Sequence, residues 1–276
     1  MESVADLTAL RMIAIQSVEA GMRVAKDWRD QGADLQVQAI DAASEYDRYV
    51  TAVDHAAEAA ITDIIRQNYP DAIIIGEQAV DGTMTGRVWI VDPIDGTTNL
   101  VKGSSFVSVA VALVIDRRPA VAATGCPFTH ELWSAAAGLG TFDRSGQRVT
   151  LHDRPTANRI IALDPATATP GQEAWWSDAH RRIEGVCGEV APRASIALAL
   201  AYVAGGLLDG FVQLGGSLAQ DFAAGILLVH QAGGKISGLD GREDAWNSSV
   251  AIAGTPEAYE DLNSAFREFS EKPEPA

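Results

Sequence analysis

The sequence predicts an α+β protein, with an antiparallel sheet in its N-terminal half and a mixed α/β arrangement in its C-terminal half. Three observations predict it. Two early segments carry helical apolar stripes, closely spaced strand-length apolar runs fill residues 73 to 136, and strands alternate with apolar helices after residue 155.

Leu10, Ile13, Val18, Met22 and Val24 follow a loose helical spacing, so a first helix is expected from Leu7 to about Trp28, then a polar loop to Arg48. Thr51-Ala52-Val53-Asp54 has the [ST]-x-x-[DE] form of a helix start. Val53, Ala57, Ile61 and Ile65 continue it as a stripe that ends near Tyr69-Pro70. Ile73 to Ile75 reads as a short buried strand and Arg87 to Val91 as the next, with Pro93 ending its ladder because it has no N–H to donate. Further strands are expected at Phe106 to Ile115, Ala120 to Gly125 and Leu132 to Ala136, separated by Asp116-Arg117-Arg118-Pro119 and Pro127-Phe128-Thr129. Beyond Asp153-Arg154-Pro155, strands Arg159 to Leu163 and Gly210 to Leu214 alternate with helices near Ser195 to Gly205 and Asp221 to Ala232. The change of pattern suggests two subdomains, residues 1–153 and 154–276, sharing one site. Lys272 to Ala276 reads as a frayed tail.

Composition narrows the function. With 276 residues, 47% of them hydrophobic, the chain can bury a large core, yet no apolar run reaches the ~18 residues of a membrane span. The acidic start Met1-Glu2-Ser3-Val4-Ala5-Asp6 has no basic n-region, so no secretory signal is expected. Two cysteines, Cys126 and Cys187, stand outside any Cys-x-x-Cys pair, which fits a reduced cytoplasm. A formal charge of −16 and four scattered lysines oppose nucleic-acid binding, which needs a basic patch.

The most informative stretch is Arg87-Val88-Trp89-Ile90-Val91-Asp92-Pro93-Ile94-Asp95-Gly96-Thr97-Thr98-Asn99. An apolar strand runs into two carboxylates, a tight turn and a hydroxyl. Carboxylates and a backbone carbonyl converging there suit Mg²⁺, and the absence of Cys and His disfavours zinc. The run resembles the signature Trp-x-x-Asp-Pro-Ile-Asp-Gly-Thr-x-Asn of the inositol monophosphatase family of Mg²⁺-dependent, lithium-sensitive phosphatases, with Leu100 at the family's aromatic position and Gly103 closing the pattern. Gly76-Glu77 is similar to the family's Gly-Glu-Glu element, its second Glu being Gln78 here. Asp221-Phe222-Ala223-Ala224-Gly225 through Ala232-Gly233-Gly234 resembles the second signature, with Gln220 in place of Trp and His230-Gln231 where an acidic residue usually precedes Ala-Gly-Gly. By its position before an apolar helix Asp221 is also an N-cap, a role compatible with metal binding.

The resemblance implies an αβαβα layering of helices and sheets and a two-metal hydrolysis of a phosphomonoester. Two or three Mg²⁺ ions, with Mn²⁺ as a substitute, are expected. Glu77, Asp92 and the Ile94 carbonyl serve the first ion, and Asp92, Asp95 and Asp221 the second. Thr97 and Asp54 would orient and activate the attacking water, with Glu77 as a further catalytic group; Asp54 can equally be a structural member of a capping box. Phosphate would lie against the N–H groups of Gly96 and Thr97. Such a substrate suits an acidic protein only if cations reverse the local sign. Ser195, Ile196, Gln213 and Asp221 are the expected substrate contacts. Ala194, Ile196 and Gln213 depart from inositol-acting members, and the loop Leu214 to Gln220 is one residue longer, so the resemblance implies a reaction class, with a small polyol or sugar phosphate as substrate. Histidinol phosphate, fructose 1,6-bisphosphate and adenosine 3′,5′-bisphosphate are alternatives, as is a non-catalytic binding or regulatory protein. A cytoplasmic homodimer without membrane or nucleic-acid partners is expected.

Overall fold

A computed structural model describes residues 2–32, 34, 36–39, 49–76, 85–164, 173–193, 195–215, 218–243, 245 and 248–269. The expected tail lies outside these residues. Helix α1 (Val4–Gln31) starts at a Ser3–Asp6 capping box and stops at Gly32 in the left-handed region. The short strands β1 (Gln38–Ala39), inside the stretch expected to be a loop, and β2 (Tyr49–Val50), just past its end, pair antiparallel. Two-residue strands are too short to carry an apolar period. Helix α2 (Ala52–Asn68) is capped by Thr51, as its sequence predicts.

The first sheet contains β3 (Ile73–Ile75), β4 (Arg87–Asp95), β5 (Ser108–Ile115), β6 (Arg118–Gly125), β7 (Leu132–Ala136), β8 (Gly140–Asp143) and β9 (Arg148–Val149), in that spatial order. Every neighbouring pair is antiparallel except β3–β4, which is parallel. Strand β3 is an edge strand with Ile73 57% exposed, which corrects the expectation of a buried strand. A second correction concerns Pro93. Strand β4 does not stop there: Asp92 pairs with Ala110, the register shifts, and Asp95 pairs with Ser108. Pro93 and Ile94 oppose the single residue Val109, a bulge in which the missing N–H of proline leaves no ladder bond unmade. Asp116 and Arg117 both take positive φ, 47° and 66°, and form the two-residue hairpin turn between β5 and β6.

The second sheet is built from β10 (Ile160–Leu163), β11 (Glu189–Pro192), β12 (Gly210–Leu214), β13 (Lys235–Gly238) and β14 (Val250–Gly254), ordered β11-β10-β12-β14-β13. Its β10 pairs are parallel and its β14 pairs antiparallel. The remaining helices are the five-residue α3 (Thr97–Val101), α4 (Glu173–Glu184), α5 (Ile196–Ala204), α6 (Ala219–Ala232) and α7 (Pro256–Ala265).

These elements stack as five layers. Helices α1 and α2 cover one face of the first sheet, α5 and α6 lie between the two sheets, and α4 and α7 cover the far face of the second. Strand β5 shows how sequence sets the layers. Val109, Val111 and Leu113 point to α1 and α2, while the smaller Ala110 and Ala112 face the central helices. Helix α5 is apolar on every side and buries all but Tyr202, as befits an element with protein all round it. This is the α+β class that the sequence predicts, in the αβαβα layering that the resemblance implies.

Candidate metal centre

The site forms where the C-terminal end of β4 meets the N-terminal ends of α5 and α6. Asp92 and Asp95 are 4% and 9% exposed at the end of β4, and Asp221 is half-buried in the first turn of α6. One carboxylate oxygen from each lies within 4.8 Å of the other two. Among the described residues this is the only such cluster of His, Cys, Asp and Glu. Asp221 is not the N-cap of α6. That position is Leu218, whose N–H donates to Asp221 Oδ2 at 2.9 Å, so the capping role is performed from the third helical position.

Asp95 is fixed from three directions. Its Oδ2 accepts from Ser195 Oγ at 2.5 Å, from the Ala197 N–H at 2.8 Å and from Ser108 Oγ at 3.2 Å. The carboxylate thus sits at the N-terminus of α5, where unpaired N–H groups and the helix dipole favour negative charge. Burial nevertheless pushes its pKa up to about 6, against the lowering effect of those hydrogen bonds. Ser195 was expected to contact substrate; its hydroxyl donates to Asp95 Oδ2 and lies 3.3 Å from Ser108 Oγ. Ser108 itself was not anticipated from the sequence, because its role depends on the register that sets it opposite Asp95.

Gly96 takes φ 92°, a left-handed conformation that glycine adopts without steric penalty, and so turns the chain from β4 into α3. Thr97, the first residue of α3, then lies over Asp54. Its hydroxyl is 2.9 Å from Asp54 Oδ1 and 3.0 Å from the Ile94 carbonyl. Asp54 makes both contacts at once: Oδ2 accepts from the Thr51 N–H at 2.8 Å within a capping box, and Oδ1 faces the Thr97 hydroxyl. Burial raises the Asp54 pKa, and the bonds from Thr51 and Thr97 pull it back.

Glu77, Gln78 and Ala194 lie outside the described residues. Ile196 opens α5, and Gln213 is fully buried on β12 opposite Ala251. A further carboxyl group escaped the sequence reading. Asp164, 4% exposed just beyond β10, has its pKa pushed up to about 8 by burial and by the charge of Asp95. A signal was present: Leu163-Asp164-Pro165 repeats the strand-then-Asp-Pro pattern of Val91-Asp92-Pro93.

Three carboxylates gathered in a mostly buried volume repel one another unless a proton or a cation intervenes. The donor set is entirely oxygen, which fits a hard divalent cation such as Mg²⁺ and not a thiophilic metal.

Comparison with known proteins agrees with this arrangement. A sequence profile described as the inositol monophosphatase family matches residues 6–271. The Nus factor SuhB of Escherichia coli K12 is 36% identical over 251 residues, covering 88% of this chain and 90% of its own length. The SuhB of Pasteurella multocida, also named a Nus factor, is 33% identical over 217 residues, 78% of this chain and 80% of its own. Among solved structures, the extragenic suppressor protein suhB of Bartonella henselae superposes with a TM-score of 0.83 at 28% identity, covering 94% of this chain and 99% of the other. An inositol monophosphatase from Anabaena gives 0.77 at 25% identity, with 97% and 98% covered. Two carboxylates at the bulged end of β4, a third on α6 and a match over nearly the whole chain lead to one conclusion: the protein belongs to the inositol monophosphatase family.

Proposed function

We propose that the protein is a Mg²⁺-dependent phosphomonoesterase acting on a small polyol or sugar phosphate. The observation that carries this reading is the convergence of Asp92, Asp95 and Asp221 within 4.8 Å, beside a Thr97 hydroxyl held by Asp54. Those three carboxylates, with Glu77 and the Ile94 carbonyl, would hold the cations. When bound, Mg²⁺ supplies positive charge that offsets the carboxylates and the phosphate and makes a nearby water more acidic.

The rest is done by the chain. The Thr97 hydroxyl has one proton, which it donates to Asp54 or to the Ile94 carbonyl, so its lone pairs can accept from a water molecule. Asp54, buried with a raised affinity for protons, is suited to take up the one that the water releases. Ser108, Ser195 and the α5 N-terminus keep Asp95 from turning away. The N–H groups of Gly96 and Thr97 are the proposed seat of the phosphate, and Ile196 and Gln213 the proposed wall around the organic group. The same reading includes a cytoplasmic homodimer. Among the described residues no helix is long and apolar enough to cross a membrane.

The test is phosphate release from inositol, sugar, histidinol and nucleotide phosphates, with Mg²⁺ and with chelator. Release from at least one ester that chelator abolishes is expected. Mg²⁺-independent release, or none from any ester, would overturn the reading. A second reading has its own support: curated relatives such as that of E. coli are named Nus factor, which is not an enzyme's name. In that reading the site binds metal without turnover, and silence across the panel with intact metal binding would favour it.

A further inference from the structure

One carboxyl group beside the cluster has no part in the mechanism above. The Asp164 N–H donates to the Val212 carbonyl at 2.9 Å, carrying the parallel β10–β12 ladder one step past the Leu163–Val212 pair. Residues two apart share a sheet face. Ile161 and Leu163 face α4 and α7, while Ala162 packs with the central helices, so Asp164 shares the Ala162 face. On β12 the corresponding face carries Phe211, in the same central core, and then Gln213. Asp164 and Gln213 therefore stand side by side at the strand ends, toward the layer whose Ser195 holds Asp95. The influence of the Asp95 charge on Asp164 places the two groups in one electrostatic neighbourhood.

Asp164 is 4% exposed, and its Oδ2 has no hydrogen-bond partner among the described residues. A buried carboxyl oxygen left unpaired is destabilising. The arrangement suits an oxygen that is satisfied when something else enters the site. Beside it, the Gln213 amide supplies both donor and acceptor capacity, a combination that matches hydroxyl groups, which also do both.

We propose that Asp164 is a specificity-determining residue whose Oδ2 accepts a hydrogen bond from a hydroxyl of the organic part of the phosphate ester. This rests on the phosphomonoesterase reading. Loss of the acceptor would weaken hydroxylated esters selectively, since a site built to pair a substrate hydroxyl discriminates strongly against its absence.

The experiment compares wild type, Asp164→Ala and Asp164→Asn on the fastest of myo-inositol 1-phosphate, glucose 1-phosphate and glycerol 2-phosphate, against p-nitrophenyl phosphate, at saturating Mg²⁺. Asp164→Ala is expected to lower the ratio of the two kcat/KM values at least tenfold, through KM of the hydroxylated ester. Asp164→Asn, which keeps an acceptor oxygen, should stay within threefold of wild type. An unchanged ratio in Asp164→Ala, or turnover of p-nitrophenyl phosphate and none of the hydroxylated esters, would overturn the proposal. If no ester is turned over, the phosphomonoesterase reading fails by itself. Calorimetry of myo-inositol 1-phosphate against inorganic phosphate, both with Mg²⁺, then measures the same contrast, and equal losses for both in Asp164→Ala, or none, overturn the proposal.

Discussion

Thr97 has one proton and two acceptors within 3.0 Å, so its hydroxyl is fixed in place while keeping lone pairs to offer. If it orients the attacking water, Thr97→Ala should lower kcat by about 100-fold or more, within the span of general acid–base contributions, while Thr97→Ser restores most of it. Steady-state kinetics at saturating Mg²⁺ checks this, and a change confined to KM would assign Thr97 to substrate binding instead. Which residues gather at the candidate site was largely legible, because Asp92, Asp95, Thr97 and Asp221 sit in long motifs that resemble the family's signatures. Ser108 was not legible, since a serine in an apolar strand gains meaning only from the residue across the ladder. Asp164 was missed although its Asp-Pro signal resembles that of Asp92, because strand-end aspartates are common and nothing local shows that this one is buried.

At the scale of elements, the site depends on how closely α6 approaches α5. A Cβ added at Gly225 would lie 2.4 Å from Leu200 Cδ1 and 2.6 Å from Leu200 Cβ. The Cβ contact is with an atom next to the α5 backbone, so rotating the leucine tip cannot relieve it and the helices must move apart. Gly225→Ala should therefore destabilise the fold by about 1–3 kcal/mol, as overpacked cores do, and weaken Mg²⁺ binding as well, because Asp221 is one turn away. Chemical denaturation and a Mg²⁺ titration of the same variant check both parts. The bulge in β4 shows where element-level reading stopped. Pro93 marks an interruption of the ladder, but whether the strand ends or resumes depends on its partner, and here Asp95 re-enters pairing with Ser108. Strands β8 and β9 escaped for a simpler reason: Gly140 to Val149 is short, polar and glycine-interrupted, and it is held mainly as the rim of a sheet already formed.

In the whole molecule the central α5–α6 layer is where the two sheets meet, and the carboxylate cluster is assembled across that boundary, from β4 of the first sheet and from α6, which follows β12 of the second. The five-layer architecture was readable through the family resemblance, and the structure gives its physical counterpart: α5 is apolar all round and β5 is apolar on both faces, patterns that suit elements covered on every side. The grouping of Asp221 with Asp92 and Asp95 was likewise implied by the resemblance alone, since no local pattern shows that Asp221 returns to Asp92. The central claim is that these three aspartates form one divalent-cation site, and the most direct measurement is calorimetric titration of Mg²⁺ into wild type and Asp221→Asn. Asparagine keeps an oxygen for the Leu218 N–H but loses the charge. Saturable binding by wild type, weakened at least tenfold in a folded Asp221→Asn, is the predicted result; equal affinity in the two proteins, or no binding by wild type, would contradict it.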